Sequence, residues 1–231
     1  MKLQERTYSF PGTSIKHLAL ALVLAAFTAV PCSASVVNGA FDSGLSSWTA
    51  SGDVTAATEA VLGDNGTDYS LLYQGVALAP GAYRIEFDFL NLLSGDLSVD
   101  PFAFPDTFFG SLFFTDDLGA FDLAGAVFDD VTPLLDLDAS GASNVNGVLG
   151  ASALGGNWTH FTLDFSSNYA YAIPVFELFD LNLATGDSQV WVDNVSITPS
   201  IPNLPEPATM TLSLMGLVAC VATRMRKSVN L

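Results

Sequence analysis

A carboxylate set among apolar neighbours is the first chemically loaded feature of this chain. In the stretch 190–197, Val-Trp-Val-Asp-Asn-Val-Ser-Ile, a strand period of two places Trp191, Asp193, Val195 and Ile197 on one face. Burying a carboxylate is costly without a partner, and Arg84 is the only Lys or Arg between residues 35 and 204. A calcium ion bound through oxygen ligands would relieve the cost. His160 is the one imidazole in the same span. Alternation puts it beside Thr162 and Asp164, where it reads as a satisfied surface histidine. No G-x-S-x-G, H-E-x-x-H or phosphate-cradling glycine pattern occurs. Acids are so many that no carboxylate pair stands out for glycoside hydrolysis. The chain is therefore read as non-catalytic. Trp158, Tyr169 and Tyr171 are the aromatic residues best placed to offer flat rings to a ligand, because the phenylalanines are assigned to core and Trp48 and Trp191 to framework strands.

What must position these groups is a β framework. Short apolar runs broken by Gly, Asn, Asp and Pro, without sustained helical periodicity, predict an all-β sandwich. The cleanest strand spans 82–90: Tyr83, Ile85, Phe87 and Phe89 face one way, Arg84, Glu86 and Asp88 the other. Pro80-Gly81 before it predicts a type II turn with Gly81 at positive φ, and 69–78 supplies the hairpin partner. Further strands are predicted at 36–41, 54–58, 108–115, 158–165, 170–179 and 189–198, with Pro174 marking an edge or a bulge. The Phe-rich run from residue 94 reads as strands with long connections, and the Gly/Ser/Asn-rich 140–156 as a loop. Asp136-Leu137-Asp138-Ala139-Ser140-Gly141 matches the opening of a calcium loop, but Gly147 occupies the position that needs a bidentate Glu.

Charge and cysteine content narrow the partners. The 24 acids lose only Glu5 and Glu206 to the chain ends, so 22 face the single Arg84. Nucleic acid and anionic membrane surfaces are repelled by such a body. Cys32 and Cys220 both fall in the ends, which leaves the body without a disulfide.

Both ends read as targeting segments. Lys2, Arg6 and Lys16 precede an uncharged apolar run over 18–30, and Cys32-Ser33-Ala34 offers small residues, which predicts a secretory signal peptide over 1–34. At the other end, 199–204 is a linker, and Pro205-Glu206-Pro207 cannot be helix interior. The run 208–223 predicts a transmembrane helix roughly 24 Å long at about 1.5 Å per residue, short against a bilayer core of about 30 Å. Arg224, Arg226 and Lys227 would hold the end on the cytoplasmic side. Taken together, Pro-Glu-Pro, a short apolar helix and a basic end over 205–231 resemble the PEP-CTERM sorting signal, with Leu204 where valine is usual. The resemblance implies an exosortase-type transpeptidase in the inner membrane of a Gram-negative bacterium. That enzyme would cut beside Pro205–Pro207 and leave the body at the cell surface or outside it.

The body carries a second resemblance. Val37-Asn38-Gly39-Ala40-Phe41-Asp42, with Gly44 and Trp48, looks like the opening of a jelly-roll module of the carbohydrate-binding kind, and 190–197 looks like its closing strand. The resemblance implies a jelly-roll-like antiparallel β-sandwich over 35–198. It also implies a structural calcium where the first and last strands meet, held by the Ala40 carbonyl, the Asp42 and Asp193 side chains and an acid from the 64–68 loop, Asp68. The functional expectation is an exported surface or matrix protein with a structural role in the exopolysaccharide layer. The alternative is a lectin-like module that binds an extracellular polysaccharide.

Overall fold

The computed structural model describes residues 35–63, 68–94, 105–139, 141–181 and 188–200. The chain divides into two units, Met1–Cys32, outside the described residues, and Ser33–Leu231, which holds everything that follows. The predicted signal peptide over 1–34 and the 205–231 segment, with Pro205, Glu206, Pro207, Arg224, Arg226 and Lys227, lie outside the described residues. Among those described, no helix is long and apolar enough to cross a membrane.

Two antiparallel sheets form a jelly-roll-like sandwich. Sheet A runs β1 (Thr49–Ser51), β4 (Tyr69–Tyr73), β12 (Tyr171–Phe179), β7 (Thr107–Thr115), β8 (Asp130–Asp138), β9 (Gly141–Val145), with β5 (Val76–Ala77) also pairing β12. Sheet B runs β10 (Val148–Ala151), β11 (Thr159–Ser167), β6 (Gly81–Leu92), β13 (Gln189–Pro199), β3 (Ala60–Leu62), β2 (Val54–Ala56). The period-two pattern of β6 holds as predicted: Tyr83, Ile85, Phe87 and Phe89 are buried between the sheets. Phe176 on β12 meets them from the opposite sheet, its ring 5.0 Å from Phe87, 6.2 Å from Phe108 and 6.4 Å from Trp48. Each such ring pair adds about 0.5–1.5 kcal/mol beyond the area it buries. A smaller apolar cluster lies on the outer face of sheet A. There Phe121, Leu123 and Phe128, from the connection between β7 and β8, pack on Phe113, Ile173 and Val175.

The structure corrects several expectations. Residues 36–41 form turns rather than a strand, and they are organised by Asn38 at φ 55°. The Asn38 side chain donates to the carbonyls of Gly44 and Ser46 and accepts from the Ser43 amide. Its own carbonyl accepts from the Trp48 indole at 3.0 Å. The 69–78 segment is not the hairpin partner of β6, because β4 and β5 belong to sheet A and β6 to sheet B. Pro80-Gly81 is therefore a crossing between sheets, and Gly81 is not at positive φ. The Tyr83 hydroxyl ties down the crossing through the Ala79 amide and carbonyl.

Pro174 sits in β12, an interior strand. Its side lacking an N–H faces the break between β4 and β5, where the Gln74 amide donates to its carbonyl. Within the 140–156 stretch, read as a loop, Gly141–Val145 and Val148–Ala151 form the edge strands β9 and β10. Edge strands exposed on both faces leave no apolar alternation to read. Pro133 and a register shift opposite Gly110 and Ser111 likewise masked β8, where Leu134 and Leu135 both reach the core.

Candidate ligand-binding face

The outer face of sheet A collects an aromatic and acidic set at the end away from the β7–β8 connection. On β12, Glu177 and Phe179 point outward because Phe176 and Leu178 take the core positions. The ladder places Phe109 of β7 opposite Glu177 on one side and Leu71 of β4 on the other, while Phe179 faces Tyr69. Ring centroids are 4.9 Å apart for Tyr69 and Phe179 and 5.8 Å for Phe109 and Phe179, the latter pair edge to face. The Tyr69 hydroxyl donates to Glu177 Oε1 at 2.7 Å. Burial first, then that bond and the carboxylate's charge, push the tyrosine pKa far above its ordinary value. Next along the row, Asp136 of β8 faces Phe109, and the exposed Asn144 of β9 faces Asp136.

Phe109, Tyr69, Phe179 and Glu177 are all half-buried, so this is ring surface held in place yet not sealed. Beneath it, Ser188 at the start of β13 donates its hydroxyl to the buried Asp106 at 2.7 Å and its amide to the buried Asp180 at 3.3 Å. Flat apolar rings beside a carboxylate and an amide can stack on the C–H face of a pyranose while taking its hydroxyls as hydrogen-bond partners. Tyr69, Phe109, Glu177 and Phe179 did not stand out in the sequence as ligand-binding residues. Phe109 and Phe179 sit in apolar runs that read as core, and only the ladder shows that their side chains leave it.

The expected aromatic ligand set is not brought together. Tyr169 stacks on Phe114 against the core, ring centroids 5.8 Å apart. Tyr171 lies on sheet A's strand β12 at the end remote from Phe179. Trp158 stands before β11 in sheet B, edge to face with Trp191, 6.4 Å away.

Asp193 does not share a face with Val195 and Ile197. A β-bulge between Asp193 and Ser196, with Asn194 at φ 52°, reverses the phase of β13. Val190, Val192, Val195 and Ile197 enter the core, and Trp191 and Asp193 take the outer face. There Asp193 faces Asp88 of β6 and accepts the Asn194 amide at 2.7 Å. Burial raises its pKa, and the charges of Asp88, Glu59 and Asp42 raise it further, against the Asn194 bond. Asp88 faces Asp193 in register, and Glu59 and Asp42 lie close enough for their charges to act on it.

Ala40 lies in the same turn segment as Asp42, and the neighbouring Gly39 carbonyl accepts the Val195 amide at 2.9 Å. Asp68 is exposed at the entrance to β4 in sheet A, where its carbonyl accepts the Asp180 amide at 3.1 Å. Oxygen donors of this kind suit a hard cation, but among the described residues no three of His, Cys, Asp and Glu cluster closely enough to hold a metal. Arg84 is engaged elsewhere, forked onto Asp164 at 2.8 and 3.0 Å. His160 Nδ1 lies 2.9 Å from Asp88 Oδ1, so the imidazole is satisfied, as read from sequence. Asp136, Leu137 and Asp138 are the last residues of β8, paired with Asn144, Ala142 and Gly141 of β9, so the stretch that resembled a calcium loop is mostly strand.

No family model matches the chain, and no curated relative matches it. Among solved structures the chain is similar to the enzymatically active domain of bacteriophage CBA120 tailspike protein 4, at 17% identity and TM-score 0.45. That match covers 72% of this chain and 21% of the tailspike, so the chain spans about a fifth of that protein's length. It is also similar to TmCBM61 in complex with beta-1,4-galactotriose, at 13% identity, TM-score 0.42 and coverage of 71% and 97% of the two chains. The K3 adhesin domain of Lys-gingipain from Porphyromonas gingivalis w83 gives 16%, 0.42, 71% and 99%. These likenesses concern the fold.

Proposed function

We propose that the body is a non-catalytic module that binds a neutral extracellular polysaccharide through the outer face of sheet A. The single observation that carries this is the half-buried ring set Tyr69, Phe109 and Phe179 around Glu177. The surface carries many acids and only one Lys or Arg in the body, which favours a neutral glycan over an anionic one. A glycan array with the full chain tests it. Saturable binding to neutral glycans that Phe179→Ala weakens is the expected result. Absence of binding, or binding unchanged by Phe179→Ala and Phe109→Ala, overturns it.

The reading extends to delivery and stability. The Pro205-Glu206-Pro207, apolar run and basic end support export and processing by an exosortase-type transpeptidase. Intact mass of the protein from its host should show a cut beside Pro205–Pro207, and a mass that retains 208–231 would remove the sorting step. A calcium ion held by the Ala40 carbonyl, Asp42 and Asp193 would neutralise the repulsion at Asp193. Its test is a rise in melting temperature with calcium against chelator.

A further inference from the structure

The bulge in β13 has a consequence on the other side of the sandwich. With the phase reversed after Asp193, Trp191 is carried onto the outer face of sheet B, where it pairs in register with Leu90 of β6 and Val61 of β3. Trp158 reaches it from the far side of β6. A turn through Gly155 and Gly156, both at positive φ and closed by the Trp158 amide on the Gly155 carbonyl, brings the chain round into β11. The two indoles meet at 6.4 Å and 64°, both half-buried, with Leu92 of β6 43% exposed on the same face.

Hydrogen-bonding groups border this ring pair. One step along the ladder lie His160 and Asn194, both bonded to Asp88, and then Asp193. Gly150 of β10 faces His160 and carries no side chain, and the space a side chain would fill there is open. Gln189 accepts the Trp191 indole N–H at 3.1 Å and orients that ring. Rings for apolar contact beside donors and acceptors suit a hydroxylated, uncharged ligand better than a lipid or a purely apolar partner. Asp88 and Asp193, buried one same-face step from the rings, and the excess of acids over the single Arg84 in the body disfavour polyanions.

We infer that Trp158 and Trp191 form a second contact surface for a neutral polysaccharide, on the face of the sandwich opposite the Tyr69–Glu177 set. The surface stands on its own geometry, and only its consequence rests on the proposed function: two opposed faces let one molecule bridge two polymer chains. Linking two binding events in this way multiplies retention without any new contact.

The test uses the full chain and a panel of soluble neutral polysaccharides, with polygalacturonate as the anionic comparison. Trp48 is buried and shielded from a surface ligand, so a ligand-induced change in tryptophan emission reports chiefly on Trp158 and Trp191. A neutral polysaccharide should quench or shift the emission, and Trp158→Ala should lower the affinity read this way at least tenfold without lowering the melting temperature. Trp191→Phe, which keeps an aromatic ring, should retain part of the affinity. Phe179→Ala should leave the fluorescence titration intact and abolish polymer bridging, seen as loss of turbidity or viscosity. That pattern separates failure of this surface from failure of the other. Unchanged emission with every neutral polymer overturns the inference, as does concentration-dependent dimerisation through this face that Trp158→Ala abolishes. Equal response to polygalacturonate also overturns it.

Discussion

Asp88 and Asp193 face each other across the β6–β13 ladder, two carboxylates in direct register on an interior pair of strands. Like charges directly opposite are destabilising. The fold tolerates them by giving each a partner: Asp88 takes His160 and Asn194, and Asp193 takes the Asn194 amide. One bulge residue, Asn194, thus serves both acids and also turns Trp191 outward.

The raised pKa of Asp193 has a definite sign for stability. The folded state holds the proton at pH values where the unfolded chain has released it. The group's favourable contribution is therefore complete below the ordinary carboxylate range and is lost as pH rises through the raised folded value. In metal-free buffer Asp193→Asn should melt higher than the parent at neutral pH, and the difference should vanish in acid. Calcium bound as proposed reverses the order, since the parent gains stability and the variant does not. Thermal melts over pH, with calcium and with chelator, measure both.

Gly39 is where the opening segment meets the bulge. A Cβ there would run into the Val195 carbonyl, a backbone group with no freedom to yield. Gly39→Ala should destabilise by about 1–3 kcal/mol, as overpacking does, and should break the bond from the Val195 amide to Gly39. Urea denaturation would show it, and a midpoint equal to that of the parent would contradict it.

Phe176 is fully buried and touches rings from three other elements. Phe176→Ala should cost about 3–5 kcal/mol, enough to unfold a marginal domain. Phe179→Ala, three residues along on the outer face, should cost much less. Side-by-side denaturation curves test whether β12 divides so sharply between core and ligand face.

Tyr69 and Glu177 make the proposed binding face polar as well as aromatic. Glu177→Gln keeps an acceptor for the Tyr69 hydroxyl but removes the charge that helps raise its pKa. The tyrosine should titrate at lower pH in this variant, visible as tyrosinate absorbance in alkali. Affinity for a neutral glycan should fall at least severalfold by isothermal titration.

The sequence by itself determined the sandwich. Period-two runs such as Tyr83–Phe89 oblige a sheet with one buried face. Only the tertiary structure decided which side chains leave the core. A bulge of one residue reverses every position beyond it, and apolar alternation cannot distinguish a strand that continues from one that slips. For the same reason the outward faces of Phe109, Phe179 and Trp191 were invisible until the ladders of β7, β12 and β13 were in register, although Trp158, the partner of Trp191, stood out in the sequence as a candidate ring. Edge strands β9 and β10 stayed hidden because a strand that buries neither face leaves no hydrophobic signature to read.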